Sequence, residues 1–274
     1  MDIQELYPED LESSLHHGSD ADFLLVDVRQ PEEYEQEHIP GAKLMPLSEL
    51  EYRLDELDEG RDLVFYCRSG KRSSAAAALA RDSGLIDRSI GNLVGGISAW
   101  QGKVLDAFPN FQVLEDLDDL PQILKQAMNM EKGTGRIYQA MVSFGSDLPI
   151  KRTLEKLSKL ETAHARVIYH QLSKAAQVQP FDELFDQLPG DIVEGGWDVD
   201  TVLKQRQEDN DNACLFLSEL ALELEYRAYD LYRTLAERTD DVERQKTFFS
   251  LAEQEKAHIR LLARGLPDCF AEAS

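Results

Sequence analysis

The sequence predicts two domains of different fold class: an α/β domain with a parallel sheet, followed by an all-α four-helix bundle. The first domain is predicted by short apolar runs of strand length, one of which leads through a tight loop into a helix. The second is predicted by a carboxylate–histidine pattern that occurs twice, 94 residues apart, on segments with helical periodicity. We place the domains at residues 1–106 and 116–274, with a linker over residues 107–115.

Two apolar runs in the first hundred residues have the character of buried parallel strands. They cover residues 23–29 and 63–67. The second run ends in a polar loop that contains a glycine, and an alanine-rich helix follows at residues 73–80. At a junction of this kind, loop amides and the helix N-terminus point at one spot and stabilise an anion there.

Cys67 stands at the start of that loop and is the candidate nucleophile. The loop continues with Arg68, Ser69, Gly70, Lys71 and Arg72. Basic neighbours lower the pKa of a thiol and favour the nucleophilic thiolate. The alternative is phosphate binding, as in cysteine phosphatases with Cys-x5-Arg loops; only four residues separate Cys67 from Arg72, which suits a smaller sulfur-centred group. Cys214 and Cys269 are interpreted as unpaired small buried side chains.

Five motifs in this region resemble those of single-domain rhodaneses, in the family order. They are Asp27-Val28-Arg29, Pro31-Glu32-Glu33-Tyr34, Glu37-His38-Ile39-Pro40-Gly41-Ala42, the segment from Cys67 to Ser73, and Gly95-Gly96-Ile97-Ser98-Ala99-Trp100. The resemblance covers about residues 5–105 and implies a cysteine that accepts a sulfane sulfur, becomes a persulfide and passes the sulfur to a nucleophile. Asp27, Arg29 and His38 then have structural roles, and the alternative is that one of them acts as a catalytic base.

The repeated pattern in the second half consists of two Glu-x-x-His motifs, each preceded by a glutamate thirty residues upstream. Its members are Glu131, Glu161 and His164 in the first copy, and Glu225, Glu255 and His258 in the second. Residues i and i+3 share a helix face, and thirty residues is about one helix and a turn, so all six side chains can converge. Four buried carboxylates need cations to offset their repulsion and desolvation.

This combination is the ligand set of di-iron and di-manganese four-helix proteins, and its hard oxygen and imidazole donors favour iron or manganese. The sequence therefore predicts two metal ions, either two irons or a site with manganese or mixed metals. For any single glutamate, the alternative is a solvated charge on a helix surface. Tyr138 and Tyr232 each follow an upstream glutamate by seven residues, and they lie either beside the metals or in the core.

Apolar periodicity and helix-ending residues delimit the four helices. They are predicted over residues 117–144, 150–176, 213–237 and 242–264, the last stopped by Gly265-Leu266-Pro267. Residues 177–212 are predicted to be a crossover with a short helix near 181–187. Gly133 and Gly135 lie within the first helix, where they suggest close packing or a local bulge.

Residues from about 113 to 266 resemble the rubrerythrin branch of the ferritin-like superfamily. The resemblance implies a non-haem di-iron centre that reacts with peroxide or oxygen. Glu131 and Glu225 would be terminal ligands, Glu161 and Glu255 would bridge the metals, and His164 and His258 would cap them. The chain departs from the family at Ala228, where rubrerythrins carry a further glutamate, and in having no pair of Cys-x-x-Cys motifs to donate electrons.

The composition of the chain indicates which classes of partner and which compartment to expect. The net charge of −23, with both predicted domains acidic, argues against nucleic acid and anionic membranes. No apolar run approaches eighteen residues, and the N-terminus is acidic where a secretory signal would be basic and then apolar. Three unpaired-looking cysteines fit a reducing cytoplasm.

The sequence thus predicts a sulfurtransferase fused to a di-iron protein with peroxide- or oxygen-reactive oxidoreductase activity. Its partners would be a small sulfur donor such as thiosulfate, a thiol or cyanide acceptor, and an external electron donor, and we expect a homodimer. The alternative is a non-catalytic protein in which Cys67 carries or senses sulfur and the bundle stores or senses iron.

Overall fold

The chain divides into two compact units. The computed structural model describes residues 2–18, 22–57, 60–109, 119–144, 148–205, 213–239 and 241–271. The first unit comprises residues 1–108 together with 233–240, and the second comprises 109–232 together with 241–274. The linker predicted at 107–115 lies mostly outside the described residues, and the sequence did not indicate that 233–240 belong with the first unit.

The first unit contains a five-stranded parallel sheet. Its strands are β1 (Gln4–Leu6), β2 (Phe23–Asp27), β3 (Lys43–Leu44), β4 (Asp62–Tyr66) and β5 (Ile90–Leu93), in the spatial order β1-β5-β4-β2-β3. β2 and β4 are the two predicted strands, and they pair in parallel from Phe23 opposite Asp62 to Asp27 opposite Tyr66. Each strand runs parallel to its neighbours, so the predicted parallel α/β domain is confirmed.

Both faces of this sheet are covered by apolar clusters. Leu24 and Val26 of β2 pack in one cluster, and Phe23 and Leu25 pack in the other. The covering helices are α1 (Pro8–His17), α2 (Pro31–Gln36), α3 (Leu47–Leu50) and α4 (Lys71–Ser83), with 3-10 turns at Leu54–Leu57 and Gly96–Ser98. Because side chains alternate along a strand, burial on both faces requires a continuous apolar run, which is what the sequence has there.

The rest of the described chain is largely helical. Its helices are α5 (Leu120–Phe144), α6 (Lys151–Ala175), α7 (Phe181–Gln187), α8 (Val199–Gln205), α9 (Ala213–Arg238) and α10 (Val242–Ala271). One apolar cluster includes residues of α5, α6, α9 and α10, among them Met141, Leu157, Leu217 and Leu262. None of the helices in the described ranges is long and apolar enough to cross a membrane.

The predicted end of the last helix at Gly265-Leu266-Pro267 was wrong. α10 continues through Pro267 to Ala271. A proline inside a helix removes one backbone hydrogen bond and crowds the preceding turn, which costs stability. Here the following turn carries Cys269, which is buried in the apolar cluster, so tertiary packing outweighs the local preference.

The interpretation of Cys214 and Cys269 as unpaired was also wrong. They form a disulfide that joins the start of α9 to the end of α10, with a Cα–Cα distance of 5.4 Å. The two cysteines are 55 residues apart, so only the antiparallel return of the helices brings them together. The expectation of a reducing cytoplasm rested on three unpaired cysteines, and the disulfide removes that support.

We expect the disulfide to leave one titratable thiol per chain, that of Cys67. Replacing Cys214 and Cys269 together by alanine should lower the free energy of unfolding by about 2–4 kcal/mol, because the cross-link restricts the unfolded chain. Thiol titration in denaturant without reductant, and chemical denaturation of the two proteins, measure these effects. Three thiols in the oxidised protein would contradict the pairing.

Candidate active site and metal centre

Cys67 lies directly after β4, and its side chain is buried. Arg68 and Ser69 follow as exposed residues, Gly70 precedes α4 with φ +87°, and Lys71 is the exposed first residue of α4. The strand–loop–helix junction predicted from the sequence is therefore present. The backbone amides of Ser69, Gly70 and Ser73 donate to the sulfur.

The backbone of the Cys67 loop is hydrogen-bonded to the turn that begins at Gly95. The amide of Ile97 donates to the carbonyl oxygen of Cys67 at 2.8 Å, and the amide of Ser98 donates to that of Arg68 at 3.0 Å. A Cβ at Gly96 would lie 2.2 Å from the Cys67 carbonyl oxygen, and Gly96 has φ +61°. Only glycine allows this approach, which explains the glycine pair in the Gly95–Trp100 motif.

Local hydrogen bonds favour the thiolate of Cys67. Burial by itself raises the pKa of the thiol. The Ser73 hydroxyl and the amides of Ser73, Ser69 and Gly70 together lower the pKa by more than burial raises it, so it lies below its usual value. Ser73 Oγ is 3.5 Å from Cys67 Sγ and 2.7 Å from Asn92 Oδ1, so its single proton is shared between these two acceptors. Ser73 belongs to the rhodanese-like motif, but the sequence alone did not indicate its contact with Cys67.

The basic residues contribute less than the sequence suggested. The guanidinium of Arg72 makes a bidentate ion pair with Glu33, with both N–O distances 2.7 Å. This pairing lowers the pKa of Glu33 to about 2. Because Glu33 largely neutralises Arg72, the thiolate of Cys67 depends chiefly on Ser73 and the loop amides.

Replacing Ser73 by alanine should raise the pKa of Cys67, because the thiolate loses a hydrogen-bond donor while remaining buried. The pH dependence of iodoacetamide alkylation measures this pKa, and its midpoint should move to higher pH. Ser74→Ala is the matched control, since Ser74 is the exposed next residue of the same helix. An unchanged midpoint in Ser73→Ala would refute the role given to this hydroxyl.

Asp27, Arg29 and His38, which were expected to have structural roles, make buried contacts within the first unit. Arg29 and Asp27 form a buried ion pair at 2.7 Å, and Arg29 also donates to the backbone carbonyl of Glu37. His38 is buried, stacks on Tyr34 with 4.0 Å between ring centroids, and pairs with Leu105 through its backbone. These contacts fix the segment that follows β2.

In the helical part, the structure brings all six predicted metal ligands together. Each is buried, with a relative exposure between 0% and 5%: Glu131, Glu161, His164, Glu225, Glu255 and His258. Three overlapping triads have ligand atoms within 4.8 Å of one another: Glu161–His164–His258, Glu131–His164–Glu255 and Glu225–Glu255–His258. The two imidazoles stack with 4.4 Å between centroids.

Two of the carboxylates lie between the histidines. Glu161 places Oε2 3.7 Å from His164 Nδ1 and Oε1 3.3 Å from His258 Nδ1. Glu255 places Oε1 3.6 Å from His164 Nδ1 and Oε2 3.4 Å from His258 Nδ1. Each carboxylate thus presents one oxygen to each imidazole, as a bridging ligand would.

The other two carboxylates each serve one side of the cluster. Glu131 Oε2 lies 3.5 Å from His164 Nδ1, and Glu225 Oε2 lies 3.0 Å from His258 Nδ1. Hydrogen bonds from two tyrosines orient them: Tyr138 donates to Glu225, and Tyr232 donates to Glu131 at 3.0 Å. Both tyrosines therefore lie beside the cluster, and both are also buried.

The donor set fits a pair of cations. Among the described residues, buried atoms of the cluster without a hydrogen-bond partner are Glu131 Oε2, Glu161 Oε1, His164 Nδ1, Glu255 Oε1 and His258 Nε2. Burial and mutual repulsion raise the pKa values of Glu161 and Glu255 well above the usual range. Burial opposes the charge on His258, but Glu225 and Glu255 raise its pKa to about 11. Positive charge at this point would satisfy the orphaned oxygens and relieve the repulsion.

The sequence did not single out one further buried carboxylate, which is repelled by Glu131 of the cluster. Glu194, in the crossover between α7 and α8, is 3% exposed and accepts a 2.8 Å hydrogen bond from Thr134. Burial, followed by repulsion from Glu131, raises its pKa to about 8. Glu194 has no partner at the repeat offset, so the duplication that revealed the six ligands gave no signal for it.

Comparisons with known proteins concern the part of the chain that carries Cys67. A family model described as a rhodanese-like domain matches residues 7–103. A sulfurtransferase of Allochromatium vinosum is 40% identical over 98 residues, which are 36% of this chain and 88% of that protein. A putative sulfur carrier protein of Bacillus subtilis is 41% identical over 85 residues, which are 31% of this chain and 45% of that protein.

Similar solved structures include the rhodanese-like domain of an Anabaena protein. It is 32% identical, has a TM-score of 0.35, and the match covers 39% of this chain and 80% of that one. The chain spans about half the length of the first curated relatives it matches, 45% and 62% of two Bacillus subtilis proteins.

Proposed function

The chain belongs to the rhodanese-like family through its N-terminal domain, and on this basis we propose that it is a sulfurtransferase that carries sulfane sulfur on Cys67. The observation that supports this most directly is the buried Cys67 sulfur, surrounded by loop amides and the Ser73 hydroxyl, with a lowered pKa. The same donors that stabilise a thiolate also stabilise the anionic form of a persulfide in the loop.

The reaction follows from these groups. The Cys67 thiolate attacks the outer sulfur of thiosulfate, a sulfur–sulfur bond forms, and sulfite leaves with the electron pair of the broken bond. The acceptor, a thiolate or cyanide, then attacks the terminal sulfur of the persulfide and regenerates the Cys67 thiolate. The loop amides hold negative charge at this position throughout, so the protein does not need to reorganise between the two steps.

Mass spectrometry of the intact protein after incubation with thiosulfate tests this proposal. We expect one added sulfur atom per chain, located on Cys67 after alkylation and digestion, and its removal by cyanide. A loop acting in phosphate chemistry, the alternative raised by its cysteine and arginine, would give no added sulfur and would hydrolyse an aryl phosphate.

We further propose that the helical part is a ferritin-like four-helix bundle that holds two iron ions, with manganese or a mixed pair as alternatives. The three overlapping triads support this most directly. Glu131 and His164 would hold one metal, Glu225 and His258 the other, and Glu161 and Glu255 would bridge them. Bound iron would supply redox chemistry toward peroxide or oxygen.

The protein's own residues set the conditions for that chemistry. Tyr138 and Tyr232 hold the terminal glutamates through hydrogen bonds, and such outer contacts fix ligand orientation. Burial of all the ligands excludes bulk water from the cluster. The described residues contain no Cys-x-x-Cys pair, so the electrons would come from an external donor. The homodimer expected from the sequence stays a prediction.

Steady-state peroxide consumption by the iron-loaded protein with an external reductant tests the redox proposal. Turnover that is lost in Glu161→Ala supports a di-iron oxidoreductase. Iron binding without turnover would contradict that activity and favour the storage or sensing function.

A further inference from the structure

The crossover segment carries a carboxylate to the metal-binding cluster, in addition to those on the long helices. Glu194 is buried, and the hydrogen bond that it accepts from Thr134 comes from a neutral group. An isolated buried carboxylate is costly, and proteins ordinarily pair it or place it beside a metal ion. The position of Glu194 therefore calls for a positive partner.

The geometry places Glu194 on the side of Glu131. Thr134, whose hydroxyl donates to Glu194 Oε2 at 2.8 Å, lies three residues after Glu131 on α5 and so shares its helix face. Glu131 Oε2 is itself buried and without a hydrogen-bond partner within the described part of the chain. Glu194 is close enough to Glu131 for the two carboxylates to repel each other, and Glu131 carries the unpartnered oxygen.

Close contacts and hydrogen bonds with α5 fix the crossover segment that carries Glu194. Gly133 brings α5 so close that a Cβ there would lie 2.2 Å from the carbonyl oxygen of Ile192. Asn129 binds the same segment twice, donating to Asp191 and accepting from the amide of Gly190. Lys132 donates to the backbone carbonyls of Phe185 and Leu188 at 2.7 and 2.8 Å.

We propose that Glu194 is an additional carboxylate of the metal site, and that its negative charge strengthens binding of the divalent cation held by Glu131 and His164. This inference rests on the proposed metal-binding function. It assigns the crossover a role in affinity for a hard cation such as iron(II) or manganese(II), for which carboxylate oxygens are suitable partners.

Titration of the full-length, metal-free protein with manganese(II) tests the proposal. Glu194→Gln keeps the size of the side chain and an oxygen that can accept from Thr134, but removes the charge. We expect one of the two bound ions to bind about 10- to 100-fold more weakly, the loss typical of groups that support metal ligands. Glu183→Gln is the matched control, because Glu183 is an exposed glutamate of the same crossover.

Glu194→Asp separates charge from packing. If charge is what matters, the aspartate variant should bind manganese(II) more tightly than the glutamine variant. Equal weakening in both would overturn the proposal in favour of a packing role, and wild-type affinity in Glu194→Gln would overturn it directly. No manganese bound by the wild type would instead overturn the metal-binding function on which it rests.

Discussion

Replacing Cys67 by serine is expected to abolish thiosulfate:cyanide sulfurtransferase activity. A serine hydroxyl does not ionise near neutral pH and forms no persulfide, so neither half of the reaction can proceed. Removing a nucleophile commonly costs several orders of magnitude in rate, roughly a thousandfold or more. Thiocyanate formation from thiosulfate and cyanide measures the loss.

The control is the double variant in which Cys214 and Cys269 are both replaced by serine. These residues belong to the other compact unit and are joined to each other, so the variant should retain sulfurtransferase activity. Activity that survived in Cys67→Ser but disappeared in the double variant would show that the wrong sulfur had been assigned.

Replacing Glu161 and Glu255 together by alanine is expected to abolish metal binding. Each carboxylate offers an oxygen to both histidines, so the double change removes ligands from both positions at once. A ligand at about 100 times its Kd stabilises the folded state by about 2.7 kcal/mol, and this increment should be lost. Denaturation with and without added manganese(II) measures it.

The matched control replaces Glu219 and Glu253 by alanine. Glu253 shares α10 with Glu255, Glu219 lies on the neighbouring α9, and neither belongs to any of the three triads. The control should keep its metal-dependent stabilisation. If the Glu161/Glu255 variant keeps it too, the assignment of the six ligands is wrong.

The Cys67 loop could be located from sequence because its parts are contiguous. A strand, a loop and a helix within about twenty residues place Cys67, and the predicted strands at 23–29 and 63–67 were found as β2 and β4. The local electrostatics could not be predicted as well. Arg72 was expected to act on the thiol, but Glu33, 39 positions earlier in the chain, pairs with it, and only the fold reveals that contact.

The carboxylate–histidine cluster could be located because the pattern repeats with a fixed spacing. The spacing predicted convergence, and the structure brings the six side chains together, with both tyrosines beside them. Features without a repeat were missed. Glu194 comes from the irregular crossover, and the Cys214–Cys269 disulfide joins residues from opposite ends of two helices, so neither follows from periodicity.

The metal content of the intact protein tests the central claim most directly. We predict that the full-length protein, reconstituted with iron(II) without oxygen and freed of excess metal, retains about two iron ions per chain, the number for which this ligand set provides. Retention of no iron, by a protein whose Cys67 still accepts sulfur from thiosulfate, would contradict the claim that one chain joins a persulfide site to a di-iron centre.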